Sequence, residues 1–227
     1  GLRGIVIKLG NMLRHFYEAE DLLVFGSGYS LALASYKAME CGKTGMEFAV
    51  GIPGSIGGAV YMNAGAYDGE MQNIVNCVKV MDLQGNERVL TAEELNFGYR
   101  KTSLQNSGLI VTEVTLKMPS GNKDEIKSKM DDFSHRRISK QPLEMPSAGS
   151  MFKRPPGYFA GTLIDQAGLK GYTVGGAQIS TKHAGFVVNV GGATAADVLQ
   201  LIKDVQTKIK AGVGVELQPE VLVIGEE

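Results

Sequence analysis

The apolar residues of this 227-residue chain form two kinds of pattern, short runs that predict strands and longer stretches at helical period. Glycine, proline and asparagine bound most of the short runs, as they commonly bound strands. One pair of runs flanks the glycine-containing segment Leu83–Asn86 and so predicts a β-hairpin. The predicted strands are Gly4–Gly10, Leu22–Gly28, Val75–Asp82, Glu87–Leu90, Leu109–Met118, Ala177–Val190 and Val215–Gly225.

Three stretches predict helices. Ser30 is a typical N-cap for a helix that ends at Met39, with Gly42 as its stop. Asn122, with Glu125 in capping-box spacing, opens a second helix, and Thr194 opens a third. Apolar residues recur at helical period in both of these helices: Ile126, Met130 and Phe133 in the second, and Val198, Leu201, Ile202, Val205 and Ile209 in the third.

Strands and helices follow one another without regular β-α-β alternation, which predicts an α+β fold in two parts. Pro119–Gly121 separates the parts, so we expect domains at 1–118 and 119–214. We also expect a last strand within 215–227, which could belong to either part. Gln141–Gly161 holds four of the seven prolines and predicts an irregular segment. Such a run inside a compact chain is more often functional than disordered.

Composition narrows the functional classes. Basic and acidic residues number 23 and 24, which gives no support to a protein that binds nucleic acid through bulk charge. No apolar stretch approaches the length of a membrane span. Cys41 and Cys77 are too few for a disulfide framework, no secretory leader is visible, and the cysteines and histidines lack metal-ligand spacing. We therefore expect a cytoplasmic protein with two free thiols and no metal site.

Glycine is unusually frequent, at 30 of 227 residues, and is concentrated in Gly51–Tyr67, GIPGSIGGAVYMNAGAY. We call this segment the glycine block. It matches neither the dinucleotide fingerprint nor the Walker pattern. Two interpretations stay open from spacing alone. The backbone N–H groups of the block could face an anion at close range, or the glycines could serve tight turns between buried elements.

Four ordered motifs resemble one family, the UDP-N-acetylenolpyruvoylglucosamine reductase (MurB) family in its shorter, type II form. The glycine block resembles its flavin-binding segment. Phe97–Arg100 resembles its tyrosine–arginine motif, Ala148–Pro155 its glycine–serine motif, and Leu217–Val221 its C-terminal glutamate motif. The resemblance covers essentially the whole chain. It implies a two-part α+β flavoenzyme, with an FAD-binding domain at 1–118 and a smaller substrate-binding domain at 119–214.

The family has a further segment ahead of the position that matches Gly1, so we expect this chain to lack the N-terminal part of the FAD-binding domain. The resemblance implies an oxidoreductase of peptidoglycan synthesis that uses FAD and NADPH. It converts the enolpyruvyl ether of UDP-N-acetylglucosamine to UDP-N-acetylmuramate. The implied protein is a cytoplasmic monomer with a small-molecule substrate and without nucleic-acid or membrane partners. The alternative is a non-catalytic fragment that binds a nucleotide sugar and has lost FAD.

The resemblance also assigns residues to the cofactor. The block residues that it places at FAD are Gly51, Ile52, Pro53, Gly54, Ser55, Gly57, Gly58, Asn63, Ala64 and Gly65.

Three residues are implied as catalytic: Arg100, Ser150 and Glu220. Hydride addition to the enolpyruvyl group builds negative charge at the substrate carboxylate, and a guanidinium at Arg100 offers fixed donors to that charge. Glu220 beside an enolate would repel it if ionised, so we infer a protonated or proton-sharing group. Ser150 is placed as the proton donor to carbon, and as a weak acid it needs a proton relay. Each residue also has an ordinary interpretation, as a surface ion pair, a loop hydroxyl and an edge charge.

A local excess of positive charge suits a UDP diphosphate. Residues 135–154 hold five basic side chains against Glu144 alone. The ordinary interpretation is a solvated helix end. By the resemblance we assign Tyr99, Lys140, Arg154, Lys182 and His183 to the substrate, although His183 differs in residue type from the family's polar contact. His15 and His135 are expected at the surface.

Overall fold

A computed structural model describes residues 1–225, and Glu226 and Glu227 of the predicted last strand lie outside the described residues. The chain divides into two compact units. The first unit is Val6–Arg136, and the second unit joins Gly1–Ile5 to the residues from Arg137 onward. Both combine helices with sheets, as predicted, and the paired strands of these sheets are antiparallel.

The first unit is built on an antiparallel sheet of five strands in the order β1-β2-β7-β5-β6. Its regular elements follow one another as β1 (Phe16–Ala19), β2 (Leu22–Gly26), α1 (Leu31–Glu40), α2 (Ile56–Tyr61), β3 (Gly65–Ala66), β4 (Gly69–Glu70), β5 (Val75–Met81), β6 (Glu87–Thr91) and β7 (Ile110–Lys117). The strands β3 and β4 form a separate two-stranded ribbon. The predicted hairpin is confirmed, since Val78 on β5 pairs with Leu90 on β6.

The core of the first unit follows from the alternation of apolar residues on β5 and β7. Val78 and Val80 on β5 and Val114 on β7 are fully buried, and α2 packs against β2 and β7. Phe25 on β2 is also fully buried. Burial of one sheet face beneath short helices is the dominant stabilising contribution in such a layer.

The helices α1 and α2 begin at one shared contact. Ser30 is the N-cap of α1 and Ser55 is the N-cap of α2, and the two residues face each other in an isolated antiparallel bridge. Leu31 donates its N–H to the Gly54 carbonyl at 3.0 Å, and Ile56 donates to the Tyr29 carbonyl at 2.9 Å. The starts of both helices are thus fastened to each other.

The helix α3 (Lys123–Lys140) crosses the boundary between the units. Asn122 caps it as predicted, because its Oδ1 accepts the N–H groups of Asp124 and Glu125. Within the first unit the predicted apolar face is buried in a small cluster of Val50, Ile126, Met130 and Phe133.

The second unit has an antiparallel sheet of four strands in the order β8-β11-β10-β9. Its elements are β8 (Ser147–Ser150), α4 (Ala160–Gln166), β9 (Thr173–Val174), β10 (Ala177–Ile179), β11 (Phe186–Asn189) and α5 (Ala195–Val213). Thr194 and Asp197 form a reciprocal capping box at the start of α5, and Gly214 ends it at φ 72°. The buried face of α5 packs against α4, β9 and β10.

Several predicted elements are wrong. Gly4–Gly10 forms no strand. Val215–Gly225 makes only an isolated bridge, between Pro219 and Phe152, so the last predicted strand does not form in the described residues. Ala177–Val190 is two strands, because a turn interrupts it. The irregular segment contains β8 and the start of α4.

Of the described helices, none combines the length and the apolar character needed to cross a membrane.

Candidate functional site

Two glycines of the block are explained by packing within the protein. Gly57 donates its N–H to the Ser27 carbonyl at 2.9 Å, and a Cβ at Gly57 would lie 2.7 Å from the Cβ of Ser27. A Cβ at Gly65 would lie 2.7 Å from the Cβ of Glu70. Contacts this short are not tolerated, so the turn interpretation accounts for part of the block.

Other positions in the block are open. Gly51 and Gly54 have φ of 73° and 129°, where glycine is favoured, and a Cβ at Gly54 would meet nothing within 4 Å. Within residues 1–225, the backbone N–H groups of Gly51, Gly54 and Ser55 donate to no other group. Three unused donors beside an exposed glycine surface form a donor set suited to a diphosphate. The block therefore fits the diphosphate of a dinucleotide such as FAD.

The remaining residues of the glycine block differ in burial. Ile52 and Ala64 pack against the core of the first unit. Pro53 and Gly58 are exposed. The hydroxyl of Ser55 accepts the N–H of Gly58 at 3.3 Å and so acts as a helix cap.

The contact between Gly57 and Ser27 gives a steric prediction. We expect Gly57→Ala to lower the free energy of unfolding by about 1–3 kcal/mol, since the added methyl group overpacks this contact. The melting temperature should fall by roughly 2–4 °C for each kcal/mol. Ser27→Gly in the same chain should restore part of the loss, because it removes the nearest atom but leaves the backbone oxygen of residue 27 at 3.0 Å, and the Ser27 hydroxyl has no hydrogen-bond partner to lose.

Gly58→Ala is the matched control for this prediction. Its Cβ would lie 3.4 Å from the Ser55 hydroxyl, which is an ordinary contact, and alanine is the better helix former. We expect no loss of melting temperature for Gly58→Ala. If Gly57→Ala has the same melting temperature as the unchanged protein, the close contact with Ser27 does not constrain α2.

Arg100 is fastened to the carboxyl end of the block. It lies at φ 54° in a tight turn closed by two backbone hydrogen bonds between Gly98 and Lys101. Its guanidinium donates to the carbonyl oxygens of Asn63, at 3.4 Å, and Gly65, at 3.1 Å. It also lies over the ring of Tyr99, 5.1 Å from the centroid. The structure thus brings Arg100 and Tyr99 onto the segment assigned to FAD.

Two polar residues that support this turn lie outside the four motifs. Thr102 donates its hydroxyl to the Tyr61 carbonyl at 2.8 Å, and Gln105 donates its amide to the same carbonyl at 3.2 Å. Gln105 also donates to the Arg100 carbonyl at 3.1 Å. Polar residues directly after the tyrosine–arginine motif were the only sequence signal for them.

Ser150 and Glu220 are brought together in the second unit. Ser150 ends β8 and pairs with Phe186 on β11. The N–H of Glu220 donates to the carbonyl of Met151, the residue after Ser150, at 2.8 Å. The Lys153 N–H donates in turn to the Gln218 carbonyl at 2.8 Å. Two motifs that lie about seventy residues apart therefore form one short backbone ladder.

A basic cluster lies where α3 ends. Lys140 is its last residue, and Lys182 donates its ammonium to the Ile138 carbonyl at 3.0 Å. Glu144 lies 3.5 Å from the same ammonium. Lys140 and Lys182 are both exposed, so a ligand could reach them, although the Lys182 ammonium is shared with Ile138 and Glu144. Arg154 is exposed as well, and its guanidinium lies 4.0 Å from the ring centroid of Phe159.

His183 is half-buried beside this cluster. Its Nδ1 accepts the Gly185 N–H at 3.1 Å, and its ring packs edge to face on Phe186. Burial lowers the pKa of the imidazole, and the charges of Lys170 and Lys140 lower it further. The Asp165 carboxylate opposes this shift. The imidazole is therefore neutral at pH 7.

The lowered pKa of His183 predicts a pH dependence of stability. The unfolded imidazole protonates near pH 6.5, above the pKa in the folded protein, so the unfolded state binds more protons below that pH. We expect the free energy of unfolding to fall as the pH drops from about 6.5 toward the lower, folded pKa. His183→Asn, which keeps an acceptor near Gly185, should remove that part of the slope in denaturant titrations at several pH values. An unchanged slope would contradict this assignment.

Among the described residues, no three His, Cys, Asp or Glu side chains are grouped so as to hold a metal ion.

Comparisons with known proteins agree with the two units. A family model described as UDP-N-acetylenolpyruvoylglucosamine reductase, C-terminal domain, matches residues 141–224. A model described as FAD binding domain matches residues 1–91. The UDP-N-acetylenolpyruvoylglucosamine reductase of Clostridium perfringens is 51% identical over all of this chain and 74% of its own length. That of Caldanaerobacter subterraneus is 47% identical over all of this chain and 75% of its own length.

A solved structure is also similar. The crystal structure of the UDP-N-acetylenolpyruvylglucosamine reductase (MurB) of Thermus caldophilus superposes with a TM-score of 0.76 at 42% identity. The match covers 87% of this chain and 71% of that one. The resemblance seen in the four motifs is thereby confirmed, together with the two-part α+β fold. The chain belongs to the UDP-N-acetylenolpyruvoylglucosamine reductase (MurB) family.

Proposed function

We propose that this protein is an FAD-dependent UDP-N-acetylmuramate dehydrogenase, which uses NADPH to reduce the enolpyruvyl ether of UDP-N-acetylglucosamine. One observation carries the proposal furthest. The Arg100 guanidinium is bonded to two carbonyl oxygens of the glycine block, so the group that can stabilise an anion is fixed to the segment that fits FAD. The likeness to relatives named for this reductase supports it. The reaction belongs to the cytoplasmic stage of peptidoglycan synthesis.

We assign the two compact units to the two ligands. The first unit carries the glycine block and its open N–H donors, and it would hold FAD. The second unit carries the basic cluster and the glycine–serine motif, and it would hold the UDP-sugar. The chemistry that FAD supplies when bound is hydride transfer from NADPH to the terminal carbon of the enolpyruvyl double bond.

Three side chains would manage the charge and the proton. Arg100 would present the fixed donors of its guanidinium to the enolate that develops at the substrate carboxylate. Ser150 would give a proton to the carbon next to that carboxylate. Glu220 is held by its backbone beside the residue that follows Ser150, and we propose it for the relay that a weakly acidic hydroxyl needs.

The basic cluster would hold the diphosphate of the nucleotide sugar. Lys140, Arg154 and Lys182 supply exposed positive charges, and an ammonium or guanidinium makes charge-assisted hydrogen bonds with phosphate oxygens. The neutral imidazole of His183 can offer a hydrogen bond to the sugar or the base without adding charge. Tyr99 is exposed beside Arg100 and presents an aromatic face to the same substrate.

Binding of FAD tests the first part of the proposal. Purified protein mixed with FAD and freed of excess ligand should keep the visible absorption of oxidised flavin and should melt at a higher temperature. NADPH added without air should bleach that absorption, and the enolpyruvyl substrate should restore it. If FAD gives neither absorption nor stabilisation, the proposal fails. Stabilisation by UDP-N-acetylglucosamine alone would then support the non-catalytic nucleotide-sugar fragment.

A further inference from the structure

The Asn63 side chain is fully buried and is used within the protein. Its Nδ2 donates to the Glu70 carboxylate at 3.1 Å and to the Gly98 carbonyl at 3.0 Å. Its Oδ1 accepts the Gln72 N–H at 3.0 Å. Both hydrogens of the amide are thus donated to protein groups and its oxygen accepts from a third, so this buried side chain is used by the protein itself.

Asn63 holds the Arg100 turn at two points. Its side chain grips the carbonyl of Gly98, which also accepts the Lys101 N–H that closes the turn. Its own carbonyl accepts a hydrogen bond from the Arg100 guanidinium. One residue of the glycine block therefore fixes both the base of the turn and the head group that the turn presents.

Backbone conformation marks the same pair. Asn63 and Arg100 both lie in the left-handed region, at φ of 43° and 54°. This conformation costs energy for residues other than glycine and persists only where surrounding contacts impose it. The hydrogen bonds that join Asn63 to Gly98 and to the Arg100 guanidinium supply such contacts.

We infer that Asn63 is a positioning residue for Arg100, which couples the segment that fits FAD to the group that stabilises the substrate anion. The inference deepens the proposed function and rests on it for its catalytic consequence. Its structural part is that Asn63 holds the Gly98–Lys101 turn in place, and this part depends only on the hydrogen bonds of Asn63 with Gly98 and Arg100. Asparagine is required by the chemistry, because an aspartate would lose the donor to Gly98 and would face the Glu70 carboxylate.

Asn63→Gly is the test variant, since glycine adopts a positive φ without strain and keeps the backbone carbonyl that receives Arg100. Asn96→Gly is the matched control. Asn96 has the same φ of 43° and lies two residues before Gly98 in the sequence. Unlike Asn63 it is exposed, and within residues 1–225 its side chain has no hydrogen-bond partner.

The rate of amide hydrogen exchange tests the structural part of the inference and needs no FAD. We expect the peptide that contains Gly98 and Lys101 to exchange about tenfold faster in Asn63→Gly than in the unchanged protein, and at the unchanged rate in Asn96→Gly. Exchange at the unchanged rate in Asn63→Gly would overturn the inference. Where Asn63→Gly does not fold, Asn63→Ser serves, because it adds no charge beside Glu70 and its one hydroxyl hydrogen cannot be donated to both Glu70 and Gly98.

The rates of flavin reduction and reoxidation in the FAD-loaded protein, measured by transient kinetics, test the catalytic part of the inference. We expect Asn63→Gly to slow reoxidation by the enolpyruvyl substrate about tenfold and to leave flavin reduction by NADPH at its usual rate. In an Arg100→Ala background the same substitution should add no further loss, since its effect passes through Arg100. Additive losses would overturn a positioning role. Absence of flavin binding would instead count against the proposed function, and faster exchange would still be observed.

Discussion

Ser150→Ala is expected to slow reduction of the enolpyruvyl substrate by about 10²–10⁴-fold, the range that a positioned general acid contributes. The hydroxyl is the group assigned to protonate carbon, and alanine cannot replace it. Flavin reduction by NADPH needs no proton from Ser150 and should keep its rate. Stopped-flow absorption separates the two half-reactions, one as bleaching of the flavin and the other as its return.

Ser147→Ala is the control on the same strand. Ser147 donates its hydroxyl to the Val187 carbonyl at 2.8 Å and accepts the Gly149 N–H at 3.2 Å, so its loss should cost about 1–2 kcal/mol of stability. It should leave both half-reactions close to the unchanged rates. Equal losses of Ser150→Ala in both half-reactions would mean that the hydroxyl has no specific part in protonation.

Arg100→Lys is expected to slow the same substrate step by about 10²–10³-fold, the usual cost of losing one fixed donor to a developing oxyanion. A lysine keeps the charge but has a single ammonium in place of a planar fork. It cannot donate to the carbonyls of Asn63 and Gly65 and still present fixed donors to the substrate. Single-turnover reoxidation of the reduced flavin measures this loss directly.

The control for that substitution is Arg88→Lys, at an exposed position on β6. It should change neither half-reaction. Full activity of Arg100→Lys would show that charge alone suffices at this position, and the role of its fixed geometry would then have to be abandoned.

Elements with a complete local pattern could be predicted from the sequence. The helix α1 has its cap at Ser30 and its stop at Gly42, and α5 has a capping box at Thr194. The hairpin β5–β6 has a run of apolar residues on each side of a glycine turn. In each case the start, the period and the end lie within one segment, so no distant contact is needed to define the element.

Elements that depend on distant partners could not be predicted. Gly4–Gly10 and Val215–Gly225 have the composition of strands, but a strand forms only where a neighbour supplies backbone partners. The helix α2 has two glycines and so lacks a helical signal, and it is fixed by its contacts with Ser27 and Tyr29. Local propensity is therefore overridden by tertiary contacts at α2 and by the lack of pairing strands at the other two segments.

The candidate site shows the same division. The resemblance could name Arg100, Ser150 and Glu220 because each lies in a motif. It could not show that Asn63 grips Gly98, since the two residues lie thirty-five positions apart and no periodicity connects them. Nor could spacing show which glycines pack against protein and which face outward, because that depends on the atoms opposite each Cα.

Because the bridge between Ser30 and Ser55 joins the first turns of α1 and α2, we expect these two turns to open and close together. A nucleotide that occupies the donors of Gly54 and Ser55 would hold this bridge shut. Deuterium uptake at Leu31 would then slow on ligation, although Leu31 lies outside the glycine block. A helix that has no part in recognition thereby becomes a reporter of occupancy.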